Sequence, residues 1–180
     1  MKKLMRGNEA FARGLYEAGV TVCSSYPGTP STEITEAAAK YNEIYCEWAP
    51  NEKVALEVAA GASIAGARTF CAMKHVGLNV AADPLYTFSY TGVNGGCVIG
   101  VADDHAIAAT VPMLEPANSS EAKEFVRMAY DLSEEFDTPF IVRMTTRISH
   151  SQSIVELCGR DEHPLKEYVK NAAKYVTLPA

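Results

Sequence analysis

Three polar segments of the chain follow apolar runs and carry groups that can do chemistry. The first is Ser24-Ser25-Tyr26-Pro27-Gly28-Thr29-Pro30-Ser31-Thr32. Thr29, Ser31 and Thr32 supply hydroxyls. Pro30 opens a helix whose first N–H groups have no intrahelical partner, so this stretch can hold an anionic or carbonyl-bearing substrate. A plain capped turn accounts for the same residues equally well. The second segment is Ala49-Pro50-Asn51-Glu52-Lys53, running into Val54-Ala55-Leu56-Glu57. Glu52 lies in the first turn of a helix, where any acid gains from the helix dipole. On spacing alone that ordinary reading outweighs a catalytic one. Glu57 stands five residues further on. It does not share a helical face with Glu52, so the two are a poor acid–base pair. The third segment is Lys74-His75-Val76-Gly77-Leu78-Asn79. His75 could act as a general base or touch substrate, though a lone loop histidine more often does neither. Asp103-Asp104 could contribute to a metal site but lacks further ligands beside it.

The elements that position these segments alternate. Asn8 is expected to cap a helix through Phe11 and Tyr16, with Gly19 as its stop. Strands are expected at 20–24, 44–48, 69–73, 97–101 and 140–144. Helices are expected from Pro30 through Ala39, from an Asn51 cap through Ile64, over 77–86 with a break near Pro84, and from Ser119 or Ser120 through Leu132. Small residues Gly61, Ala62, Ala65 and Gly66 suit close packing of the helix that begins at Glu52. Five apolar strands separated by helices predict an α/β domain: a three-layer, mostly parallel sheet with helices on both faces. In such folds ligands sit beyond the carboxyl ends of the strands, where all three segments fall. The domain is expected over residues 1–146. The polar stretch 147–180 reads as a C-terminal tail or a linker to missing domains.

Composition narrows the function. The 180 residues are 48% hydrophobic and 21% charged, with a net charge of −6. This acidic balance disfavours nucleic acid and anionic membrane surfaces. No apolar run is long enough for a span, and Asn8, Glu9 and Arg13 interrupt any signal-like N-terminus. The five cysteines, Cys23, Cys46, Cys71, Cys97 and Cys158, form no CxxC. They read as reduced thiols of a cytoplasmic protein, with neither a zinc knuckle nor an iron–sulfur motif. Walker, GxGxxG and GxSxG motifs are absent.

Taken together, SSYPGTPSTEI, NEKVALEVAAGASIAGAR, MKHVGLNVAADPL, TGVNGGCVIGVADD, VPMLEPANSSEAKEF and PFIVRMTTRISHSQ cover nearly the whole chain. In this order they resemble the N-terminal region of the large (alpha) subunits of indolepyruvate:ferredoxin oxidoreductases, a branch of the 2-oxoacid:ferredoxin oxidoreductase family. The resemblance implies a pyrimidine-binding (Pyr-type) domain for thiamine diphosphate. It implies oxidative decarboxylation of an arylpyruvate, transfer of the acyl group to coenzyme A, and ferredoxin as electron acceptor.

The same resemblance assigns roles. Glu52 is the acid that hydrogen-bonds the ring nitrogen of the aminopyrimidine and so activates thiazolium C2. A single carboxyl in a dry pocket is what that step needs. Gly28 joins Glu52 in touching the cofactor. Thr29 matches a substrate-contacting threonine, and Tyr26, Ser31 and His75 are weaker candidates for the same pocket. A diphosphate–magnesium motif and clustered cysteines are missing from the chain. Mg2+ and 4Fe–4S clusters are therefore expected on a PP domain, a ferredoxin-like region and a beta subunit. The chain is then an excised domain or one subunit of a split enzyme. The family usually has a longer loop after Asp103-Asp104, and its pyruvate-specific members carry an arginine near that position, which argues against pyruvate here. Two alternatives stay open: a Pyr subunit of a non-oxidative thiamine diphosphate decarboxylase, and a non-catalytic flavodoxin-like docking module.

Overall fold

A computed structural model describes residues 1–102 and 111–176. Strands β2 (Val22–Ser25), β3 (Tyr45–Trp48), β4 (Thr69–Lys74), β5 (Cys97–Ala102), β6 (Met113–Leu114) and β7 (Phe140–Met144) form one sheet. Their order is β3-β2-β4-β5-β7-β6, and every pairing is parallel. Side chains alternate across the pleat. Phe70, Ala72, Val98, Val142 and Met144 pack on one face with Phe11, Leu15, Ile34, Val126 and Tyr130. These come from α1 (Gly7–Glu17), α2 (Thr32–Ala38) and α6 (Ser119–Phe136). Cys71, Met73, Ile99, Val101 and Ile141 face the other way. They meet Leu56, Leu78, Leu85 and Phe88 of α3 (Glu52–Ile64), α4 (His75–Val80) and α5 (Ala82–Thr91). The parallel sheet with helices on both faces expected from the sequence is thus observed.

Several boundaries differ, each for a local reason. Asn8 is not the cap of α1; it lies within the first turn, and its Nδ2 donates to the Pro30 carbonyl at 3.0 Å and to Glu33 at 3.1 Å. The expected helix over 77–86 is two helices, which break at Ala81 rather than at Pro84. Pro84 sits in the first turn of α5, where a missing N–H costs nothing. Asn118, not Ser119 or Ser120, caps α6, with its Oδ1 accepting from the Glu121 N–H at 3.0 Å.

Two strands lie outside the main sheet. β1 (Lys2–Arg6) pairs antiparallel with β8 (Gln152–Glu156), which follows the short helix α7 (Thr146–His150). Beyond β8 the chain crosses the amino ends of the sheet strands. Arg160 donates to the carbonyls of Tyr16 and Val20, the Lys166 N–H bonds the Gly66 carbonyl, and Lys174 reaches the Val93 carbonyl. A last turn, α8, spans Ala172–Tyr175. Among the described residues no helix is long and apolar enough to cross a membrane.

Candidate functional site

The strand order reverses beside β2. The chain leaves β2 for β3 on one side, then crosses to β4 on the other. The loops after β2 and β4 therefore diverge, opening the crevice where ligands of such sheets bind. All three chemistry-bearing segments converge there.

The turn after β2 is built from its own hydroxyls. The Gly28 N–H donates to Thr32 Oγ1 at 2.7 Å, and Ser31 Oγ donates to the Gly28 carbonyl at 2.7 Å. Beneath it, Ser25 Oγ accepts from Thr35 Oγ1 at 2.8 Å and from the Ala72 N–H at 3.1 Å. This buried network ties β2 to α2 and β4. It lay outside the sequence reading, since no local pattern marks Ser25 or Thr35 as partners. Ser31 is buried with its hydroxyl committed, whereas Thr29 and Tyr26 are exposed on the turn.

Glu52 is the first residue of α3, set by the Asn51 cap, whose Oδ1 accepts from the Val54 N–H at 2.9 Å. The expected cap and helix start are both observed. Glu52 is half-buried, while Glu57 is exposed. The Glu52 carboxylate lies against Gly77 of α4: a Cβ built there would stand 2.5 Å from Oε1. Gly28 makes a matching close approach, with a Cβ there 2.5 Å from Lys74 Cδ. Two glycines thus let the turn after β2, the end of β4 and the start of α3 meet in one place. His75, the first residue of α4, is half-buried beside them. Lys74, which sequence reasoning passed over, ends β4 with its stem across the Gly28 turn. The Asp103-Asp104 pair and the short stretch after it lie outside the described residues.

The family described as pyruvate flavodoxin/ferredoxin oxidoreductase, thiamine diphosphate-binding, matches residues 13–94, which hold all of these elements. Indolepyruvate oxidoreductase subunit IorA of Archaeoglobus fulgidus is 43% identical over 99% of the chain, and that of Methanothermobacter marburgensis 45% identical over 97%. Over nearly its whole length the chain is similar to these subunits. It spans about a third of these relatives' length, 32% and 31% respectively. The first alignment runs over 202 positions against the chain's 180 residues, so that relative carries residues this chain lacks. The fold agrees: a 2-oxoglutarate:ferredoxin oxidoreductase from Magnetococcus marinus superposes with a TM-score of 0.79 at 18% identity, over 88% of this chain and 33% of that one.

The thiols divide by burial. Burial pushes Cys71 well above the usual range and Cys97 up to about 12. Cys23 and Cys46 are register partners on β2 and β3. The Cys23 thiol holds its half-buried neighbour Cys46 below the usual range.

Proposed function

We propose that the chain is the pyrimidine-binding half of a thiamine diphosphate site in an enzyme that oxidatively decarboxylates an arylpyruvate such as indolepyruvate. The acyl group passes to coenzyme A and the electrons to ferredoxin. The observation that carries this reading is the Glu52 carboxylate, fixed at the start of α3 and seated on Gly77 at the reversal point of the sheet.

The residues present fit the cofactor. A half-buried carboxyl lies against Gly77 at the start of α3, and that close approach would be filled by any larger residue at Gly77. Thiamine diphosphate, when bound, supplies the nucleophilic carbon and the electron sink that let a 2-oxoacid lose carbon dioxide. Glu52 holds a proton at the aminopyrimidine ring nitrogen, a task for one carboxyl with no paired base. Gly28 gives the turn room to lie against the cofactor. Thr29 presents a hydroxyl to the oxoacid, Tyr26 and His75 border the same opening, and Ser31 holds the turn from beneath.

The site is half of an enclosure. Val76, Val80 and Tyr86, on the helices flanking the crevice, are about half exposed. These exposed apolar side chains support a facing PP domain that closes the site and brings the diphosphate and Mg2+ contacts. The 4Fe–4S clusters and the beta subunit belong to that remainder of a cytoplasmic assembly.

The test is oxoacid- and coenzyme-A-dependent reduction of a redox dye, under anaerobic conditions, by the assembled enzyme with wild-type chain or Glu52→Ala. Dye reduction with indolepyruvate that falls by about 10²–10⁴-fold in the variant supports the reading. Equal activity of both removes Glu52 from the site. Carbon dioxide release without dye reduction favours the non-oxidative decarboxylase.

A further inference from the structure

We infer that Cys23 and Cys46 are an oxidisable pair that a neutral peroxide closes to a disulfide, with Cys46 the sulfur that meets the oxidant; this stands apart from the reading of Glu52. The two are register partners on the parallel strands β2 and β3. Register partners project to the same face of a sheet, and both sulfurs pack on the face covered by α1, α2 and α6. Neighbouring strands lie about 4.8 Å apart, inside the roughly 4.4–6.8 Å that separates the Cα atoms of a disulfide. The two thiols are free, and they are already hydrogen-bond partners.

Exposure divides the work between them. Cys23 has no accessible surface, and its sulfur lies 3.7 Å from Ser25 Oγ and 3.8 Å from Thr35 Oγ1. Cys46 is half-buried and lines an open groove of about 280 Å³ with Thr35, Glu36, Ala39, Glu47 and Trp48. β3 is an edge strand of the main sheet, and its Trp48 is half-exposed. The Cys23 neighbour holds the Cys46 thiol below the usual range, which raises its share of the reactive thiolate. Glu36 and Glu47 make the groove acidic. They repel an anionic oxidant such as glutathione disulfide and leave hydrogen peroxide, small and neutral, free to enter.

The chemistry has two steps. The Cys46 thiolate attacks one peroxide oxygen, the O–O bond breaks, and the hydroxide that leaves takes up a proton to become water. Cys46 is then a sulfenic acid. The Cys23 sulfur attacks the Cys46 sulfur, the S–O bond breaks, and the Cys23 proton leaves with the hydroxide as a second water. The two thiols lose two electrons together, and one peroxide gains them. The bond forms two residues before Ser25, whose hydroxyl joins Thr35 and the Ala72 N–H beneath the Gly28 turn.

The experiment treats the assembled enzyme, kept reduced and anaerobic beforehand, with hydrogen peroxide or with glutathione disulfide at equal concentration. Free thiols are then blocked and the peptides mapped without reduction. Peroxide is expected to convert most Cys23 and Cys46 into one linked peptide pair, which dithiothreitol releases. Glutathione disulfide is expected to do so about tenfold more slowly, the acidic groove holding it off. Exposed Cys158 reports that each oxidant has acted on the protein. Cys23→Ala should give no linked pair and leave Cys46 as a sulfenic acid that dimedone traps, while Cys46→Ser should leave Cys23 reduced. Cys23 and Cys46 both remaining reduced while Cys158 is oxidised overturns the proposal. Linkage of Cys46 to Cys158, or between two molecules, overturns it as well. Closure by glutathione disulfide at the rate of peroxide overturns the choice of a neutral oxidant.

Discussion

The Glu52 carboxylate occupies the space that a side chain on Gly77 would need, with Oε1, Cγ and Cδ all within 2.8 Å of that position. One element's acid is thus seated on another's missing side chain.

Gly77→Ala separates function from stability. The atoms in the way belong to the flexible end of Glu52, so the carboxylate moves aside at little cost to the fold. A helical alanine gains up to about 1 kcal/mol over glycine. Thermal unfolding should therefore change by only a few degrees, while turnover by the assembled enzyme falls about tenfold or more, as for a displaced catalytic group. Equal loss of stability and activity would mean that Gly77 serves packing alone.

Glu134 makes the chain acid-sensitive. Burial alone would raise its carboxyl; hydrogen bonds from Arg68, Lys166 and the Gly96 N–H more than reverse this and hold it at about 2, against an ordinary 4.5. Its folded value lies below its unfolded value. Its contribution is therefore complete above 4.5 and is lost as pH falls toward 2. That contribution is roughly 3 kcal/mol. Urea unfolding should show Glu134→Gln less stable than wild type by about this amount at neutral pH, with the gap closing under acid.

Glu17 anchors the segment after β8. It is fully buried on α1, accepting from Lys123 Nζ at 3.0 Å and from the Cys158 N–H at 2.8 Å. Glu17→Ala leaves the Lys123 ammonium buried without its carboxylate, which costs about 3–5 kcal/mol. Amide exchange beyond Glu156 should accelerate first, before the sheet strands.

The cysteines should alkylate in two classes. Cys158 is exposed and Cys46 half-buried, whereas Cys23, Cys71 and Cys97 have no accessible surface. A maleimide should label Cys158 and Cys46 in the native protein and the other three only after unfolding, read by peptide mapping.

The parallel sheet and the start of α3 were legible because their signals are local: apolar strand runs, and an asparagine cap beside Glu52. Pairing of β1 with β8 was not, because Lys2–Arg6 and Gln152–Glu156 lie at opposite ends of the chain and neither is an apolar run. The stretch beyond Glu156 reads as a polar tail, since Arg160, Lys166 and Lys174 hold it through backbone carbonyls that no side-chain pattern reveals. Lys74 escaped notice for a related reason. Its place depends on contact with Gly28, an element away.

The most direct test of the central claim is the rate at which the thiazolium C2 proton of bound thiamine diphosphate exchanges with deuterium, followed by proton NMR after acid quench. It is measured on the assembled enzyme with wild-type chain and with Glu52→Gln. Exchange slower in the variant by about 10²–10⁴-fold, with the cofactor still bound, is the expected result. Equal exchange rates would contradict the role given to Glu52.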